Sequence, residues 1–91
     1  LPINPKINMA FTLRVEPRAQ RNIDRLPKQY RVRVLAILDE IKANPFFCKK
    51  LHGKREGQYS FRVWPYRIVY KIYKKELLIL VIEFDHRQGV Y

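Results

Sequence analysis

The sequence predicts a single α+β domain: a strand, two helices and three further strands. The two helices form a hairpin packed on one face of an antiparallel-rich sheet. Three observations predict it. Hydrophobic spacing has period two near the start of the chain, helical period in the middle, and period two again from residue 58 onward. Prolines stand where one regime gives way to the next. The 91 residues suffice for one small core and no more.

The elements follow in order. Residues 1–8, "LPINPKIN", hold two prolines and no periodicity, and read as a flexible arm or extension. Met9 is a candidate natural start, so the folded domain is expected over 9–91. In "MAFTLRVEP", Phe11, Leu13 and Val15 alternate, which predicts a short strand ended by Pro17. Pro17 also suits the first turn of a helix. Ala19, Ile23 and Leu26 fall at helical spacing and carry that helix to about Arg25. Pro27 opens a second helix, "KQYRVRVLAILDEIKAN", with an apolar stripe of Val34, Leu38 and Ile41 beside Leu35 and Ile37. Asn44-Pro45 ends it, because a residue before proline avoids helical backbone. "PFFCKKLHGKREG" is basic and irregular, and is expected to be a loop. In "QYSFRVW", Tyr59, Phe61 and Val63 point one way while Ser60, Arg62 and Trp64 point the other. "YRIVYKIY" pairs with it as a hairpin turning around Trp64 to Tyr66. "ELLILVIEF" is apolar on both faces and predicts a central strand covered on each side.

The charge narrows the partners. Nineteen Lys and Arg against eight Asp and Glu give a formal net charge of +11. A surface of this kind attracts polyanions, nucleic acid first and an acidic protein second. No apolar run approaches the roughly 18 residues of a membrane span, and nothing reads as a signal peptide. Cys48 is the sole cysteine, so it has neither a disulfide partner nor a second thiol at metal spacing. A reduced, cytoplasmic setting with no metal or cofactor is the expectation.

The cations fall in a pattern. Lys49, Lys50, Lys54 and Arg55 lie on the basic stretch before the later strands; Arg62 lies on one strand and Arg67 begins the next. His86 and Arg87 follow the last strand, and Tyr91 closes the chain. Arginines converging on one sheet could clamp a phosphodiester, since the guanidinium fork matches phosphate oxygens. Tyr59, Trp64, Tyr66, Tyr70, Tyr73 and Tyr91 offer rings on which unpaired bases could stack. The chemistry such a set could perform is RNA cleavage without metal. The ribose 2′-hydroxyl attacks the adjacent phosphorus, the 5′ oxygen leaves, and cations hold the accumulating charge. His86, an imidazole able to exchange a proton near neutral pH, is the acid–base candidate. Each residue also has a plainer reading. His86 could be a surface histidine, and the strand arginines could face solvent. The tyrosines could be core or rim. Arg18, Arg21, Arg25, Lys28, Arg31 and Arg33 could form a solvated helix face or meet an acidic partner.

The run "KLHGKREGQYSFRVWPYRIVY" together with "HRQGVY" resembles the RelE/ParE superfamily of toxins from bacterial and archaeal toxin–antitoxin systems, RelE-like branch. The likeness rests on K-L-x-G, G-x-Y-x-x-R-V, Y-R-[IV]-[IV]-Y, an apolar strand and H-R-x-x-V-Y, in that order, over residues 10–91. It implies a small RelE-like ribonuclease fold. It implies a ribosome-dependent endoribonuclease that cuts mRNA in the decoding site. It also implies a cognate antitoxin, acidic in its toxin-binding segment, that neutralises the toxin within a higher-order hetero-oligomer. By the resemblance, Arg62 and Arg67 hold the scissile phosphate. Arg87 stabilises charge or protonates the leaving group, and Tyr91 orients the RNA. Lys54 and its loop, with Lys49, Lys50 and Arg55, face RNA. Ser60 stands where some members place a lysine assigned as base, and Trp64-Pro65 replaces a glycine-containing turn. Two alternatives stay open: a ParE-like inhibitor of DNA gyrase, and a non-catalytic toxin kept as an RNA-binding or co-repressor module.

Overall fold

The computed structural model describes residues 11–86. In chain order they form β1 (Thr12–Val15), α1 (Pro17–Asp24), α2 (Lys28–Ala43), β2 (Lys49–Lys50), β3 (Gln58–Val63), β4 (Tyr66–Tyr73) and β5 (Leu78–His86). A 3-10 turn, Gly53–Arg55, lies between β2 and β3. The five strands make one sheet in the order β1-β5-β4-β3-β2. β2 to β5 are antiparallel neighbours, while β1 lies parallel to β5. The expected strand, helical hairpin and three-strand order is therefore present, as are two features the sequence reading did not supply. One is the parallel edge. The other is β2, two residues of strand inside the stretch expected to be a loop.

Prolines set the helix limits. Pro17 sits in the first turn of α1, where a missing N–H costs no intrahelical bond. Pro27 precedes α2 with extended backbone. At the junction Arg31 bends back, its Nη1 donating to the Leu26 carbonyl at 3.3 Å and the Asp24 carbonyl at 3.4 Å. It thereby serves the Asp24 carbonyl at the end of α1 and the Leu26 carbonyl in the link to α2, so one cation of the expected solvated face has a structural task. Asn44, before Pro45, is extended and closes α2.

The sheet has one covered face and one open face. α1 packs on β5, and α2 packs on α1 and β1. Beneath them lie Leu13, Val15, Tyr59, Phe61, Val63, Ile68, Tyr70, Ile79, Val81 and Phe84, with Ala19, Ile23, Val34, Leu38 and Ile41 from the helices. Tyr70 is fully buried; its hydroxyl donates to the Pro45 carbonyl at 2.7 Å and ties the end of α2 to the sheet.

One residue resets the alternation of β5. Val69 pairs with Glu83 but its neighbour Tyr70 pairs with Val81, so Ile82 has no partner and forms a β-bulge. Ile79 and Val81 face the helices before the bulge, and Phe84 faces them after it. The expectation that β5 is covered on both sides is corrected here. Leu78, Leu80 and Ile82 are only half-buried, because both helices lie on the other face.

Candidate RNA-binding face

The open face takes the alternate residues of the same strands. Phe61 pairs with Ile68 in the core, so the next pair out, Arg62 with Arg67, points the other way. Two guanidinium side chains thus stand directly opposite on neighbouring strands. Like charges in that position repel and weaken the sheet. Among the described residues neither has an ion-pair partner; the one ion pair present joins Arg55 to Glu83. An anion between the two arginines would turn repulsion into a two-sided clamp. Asp85 lies opposite Arg67 on β5. Its carboxylate lies instead along the strand edge, 3.5 Å from Nδ2 of Asn22, which donates to the Phe84 carbonyl at 2.9 Å.

The next row inward runs Lys49, Ser60, Val69 and Glu83 across four strands. Lys49 is exposed, whereas Ser60 is 9% and Val69 0% accessible. The segment between β2 and β3 accounts for that burial. It folds over the open face far enough for Arg55 to reach Glu83 on β5. Gly53 and Gly57, at φ +69° and +90°, supply the left-handed backbone that this path requires. The segment closes the lower half of the face. The upper half, with Arg62 and Arg67, stays open.

The structure sorts the residues expected from the sequence. It brings Arg62, Arg67, Ser60 and Lys49 together on one face. Arg55 is committed to Glu83, so its charge is largely offset. Lys54 is exposed on the 3-10 turn. Lys50 pairs with Tyr59 and therefore projects toward the opposite side from Lys49. His86 also projects to the opposite side. It pairs with Tyr66, and its ring meets that of Tyr66 edge-on at 5.2 Å. Tyr66 stacks on Phe84 at 5.0 Å and meets Tyr30 of α2 at 6.3 Å, so this cluster belongs to the helix-bearing face. The bulge at Ile82 sets that outcome. His86 borders a groove of about 310 Å³ with Asn22, Arg25, Leu26 and Pro27, apart from the arginine pair. Arg87 and Tyr91 lie outside the described residues.

The rings divide between the core-or-rim reading and the platform reading. Tyr59 and Tyr70 are buried and stack at 5.6 Å. Trp64, in the β3–β4 turn with a cis bond to Pro65, is 63% exposed, and Tyr73 is exposed at the other end of β4. The ring the sequence reading passed over is Phe47, 47% exposed beside Arg62. Its signal was present in "PFFCKK", an aromatic pair followed, after one cysteine, by two lysines. Cys48 is half-buried, as a small packed side chain would be. Burial pushes its thiol up, a hydrogen bond with Tyr70 opposes the rise, and Glu40 adds to it. Burial, reinforced by Cys48, also pushes the Tyr70 phenol up. Among the described residues no three His, Cys, Asp or Glu side chains gather as they would round a metal ion. No helix among them is long and apolar enough to cross a membrane.

Residues 13–91 match the family described as the ParE toxin of type II toxin–antitoxin systems. The chain is 26% identical over 85 residues to toxin RelG of Mycobacterium tuberculosis, covering 91% of this chain and 98% of that one. In fold it is similar to the RelBE2 toxin–antitoxin complex of the same organism, with a TM-score of 0.76 and 25% identity over 86% of this chain and 99% of that one. It is similar also to the isolated RelE toxin of E. coli, with a TM-score of 0.75 and 24% identity over 85% and 84%. An archaeal RelE–RelB complex from Pyrococcus horikoshii OT3 superposes with a TM-score of 0.73 and 23% identity over 87% and 97%.

Proposed function

The chain belongs to the ParE toxin family of type II toxin–antitoxin systems, within the RelE/ParE superfamily, and from that premise we propose that it is a ribosome-dependent endoribonuclease that cuts mRNA in the decoding site. The observation that supports this reading is the opposed pair Arg62 and Arg67 on the open sheet face. A fold gains nothing from facing two cations across a hairpin. A phosphodiester does, because each bridging step of its cleavage concentrates negative charge on the phosphorus oxygens.

In the reaction, the ribose 2′-hydroxyl loses its proton and bonds to phosphorus. The bond from phosphorus to the 5′ oxygen breaks, and that oxygen takes up a proton. Arg62 and Arg67 hold the phosphate from two sides and offset the charge of the pentacoordinate species. Lys49 extends the field along the strand of RNA, and the Ser60 hydroxyl forms the floor. Lys54 presents its charge from the turn above. Arg87 at the leaving oxygen and Tyr91 against the RNA complete the set that the family resemblance implies. The proton steps are not routed through His86, which stands on the other side of the sheet. The ribosome would supply the alignment that the shallow open face lacks. Relatives solved as RelBE2 and RelE–RelB complexes support a cognate antitoxin as the natural partner. Against a net charge of +11, its toxin-binding segment is expected to be acidic.

The test is primer extension on a reporter mRNA in a translation extract, with wild-type protein and Arg67→Ala. The expected result is discrete cuts that need ribosomes and vanish in the variant. Intact mRNA in the presence of folded wild-type protein would overturn the reading. DNA gyrase, the target that the resemblance gives for the ParE branch, would then be assayed by supercoiling.

A further inference from the structure

A groove of about 520 Å³ runs along the outer edge of β3, lined by Phe47, Cys48, Lys49, Ser60, Phe61 and Arg62. Its size falls within the range of ligand sites. Of these six described residues two are cations and none is a carboxylate. Phe46 and Phe47, though adjacent, are used differently. Phe46 sets its ring edge-on to Phe11 at 6.1 Å and to Tyr59 at 6.4 Å, and Lys74 covers it at 5.6 Å. Among the described residues Phe47 has a single ring neighbour, Phe61 at 5.7 Å, and it shows much of its surface to solvent. Phe47 precedes β2 by two residues. Continuing the Lys49–Ser60 pairing outward by one repeat brings it level with Arg62. β2 itself pairs only with Tyr59 and Ser60, so the outer edge of β3 from Phe61 to Val63 has no strand partner among the described residues. Unpaired strand-edge amides are able to bond the edge of a planar heterocycle.

We propose that this groove is a base-binding subsite, in which Phe47 stacks one unpaired nucleobase while Arg62 and Lys49 hold the phosphates on either side of it. The proposal deepens the reading of the open face as an RNA site and rests on it. Three features select a nucleotide over other occupants. The exposed ring face suits a flat partner, the flanking charges are both positive, and the groove opens directly onto the arginine pair. A base held here belongs to a nucleotide next to the phosphate clamped by Arg62 and Arg67. Phe47 is thus a positioning and specificity residue, since it fixes which phosphate lies in the clamp.

The experiment measures binding of a fluorescent single-stranded hexanucleotide by anisotropy at low salt. The probe is fully 2′-O-methylated, so attack by a 2′-hydroxyl cannot destroy it. Phe47→Leu keeps apolar packing on Phe61 and removes the aromatic face; Phe47→Tyr keeps the face. The expected result is about tenfold weaker binding for Phe47→Leu, near-wild-type binding for Phe47→Tyr, and matching melting curves for all three. An abasic residue walked along the hexamer should weaken wild-type binding at one position by the same factor, with no further loss in Phe47→Leu. Wild-type affinity in Phe47→Leu, or no binding of the hexamer by wild-type protein, would overturn the proposal. So would a Phe47→Leu defect confined to antitoxin binding. The two readings separate in ribosome assays. Phe47-dependent binding with mRNA left intact sinks the ribonuclease and keeps the subsite. Cleavage by Phe47→Leu at the same sites and rate as wild type sinks the subsite and keeps the ribonuclease.

Discussion

The two faces of the sheet are built from the same strands and obey opposite rules. On the covered face, Ile68, Tyr70, Val81 and Phe84 are buried against helices, and neighbours across strands attract through packing. On the open face, Arg62 confronts Arg67 and both lack counter-ions among the described residues. Alternation along each strand assigns one residue to the core and, in the function proposed above, leaves Arg62 and Arg67 to the phosphate of RNA. The lesson is that positions one residue apart should fail in different assays.

The largest effect expected from this contrast is on the covered face. Phe84→Ala empties a buried ring site that also supports Tyr66. It should lower unfolding free energy by about 3–5 kcal/mol, read as a fall in the urea midpoint. A variant of unchanged midpoint would break the division between faces. Arg67→Ala comes next. Cleavage should fall about 100-fold, the loss typical of removing one group that stabilises transition-state charge. The melting temperature should hold or rise, since a like-charge contact disappears with the side chain. Tyr70→Phe removes the hydroxyl bonded to the Pro45 carbonyl and should cost about 1 kcal/mol. Cys48 also loses the hydrogen bond that holds its thiol down, so it should react more slowly with a thiol reagent near neutral pH. Glu83→Gln sharpens the comparison from the open side. The Arg55–Glu83 pair is part-exposed, so the stability cost should stay below about 1 kcal/mol. Arg55 would be released to RNA, and the salt slope of RNA binding should steepen by about 0.7. The smallest effect is assigned to His86→Ala. Its place beside Tyr66 predicts cleavage close to wild type and a slight loss of stability; a collapse of activity would restore it as the acid–base group.

Much of this was legible in the sequence because punctuation and period are local. Pro17, Pro27 and Asn44-Pro45 mark helix limits to within a residue or two, and "YRIVYKIY" marks β4 to the residue. The facing of Ser60 and Arg62 away from Tyr59 and Val63 follows from alternation alone. What stayed hidden depends on partners distant in sequence. β2 is two exposed lysines, with no alternation to betray pairing. The parallel seat of β1 on β5 is fixed by tertiary packing. His86 was misplaced for a sharper reason. Its facing depends on an unpaired Ile82 that no local pattern announces, and the apolar run "LLILVI" reads the same with or without it. The choice between core and platform stayed open for the rings because a tyrosine on a strand shows only its period. Its depth is set by the helices above.

The bulge at Ile82 works on β5 as an inserted letter works on a reading frame. Upstream of it, odd-numbered side chains look toward the helices; downstream, even-numbered ones do. Removing Ile82 would restore plain alternation and leave Phe84 toward the helices, with Glu83 and Asp85 toward the open face. One further inserted residue would instead turn Phe84 toward water and Glu83 and Asp85 toward the core. β5 can therefore spare the residue it carries in excess, but it cannot take another.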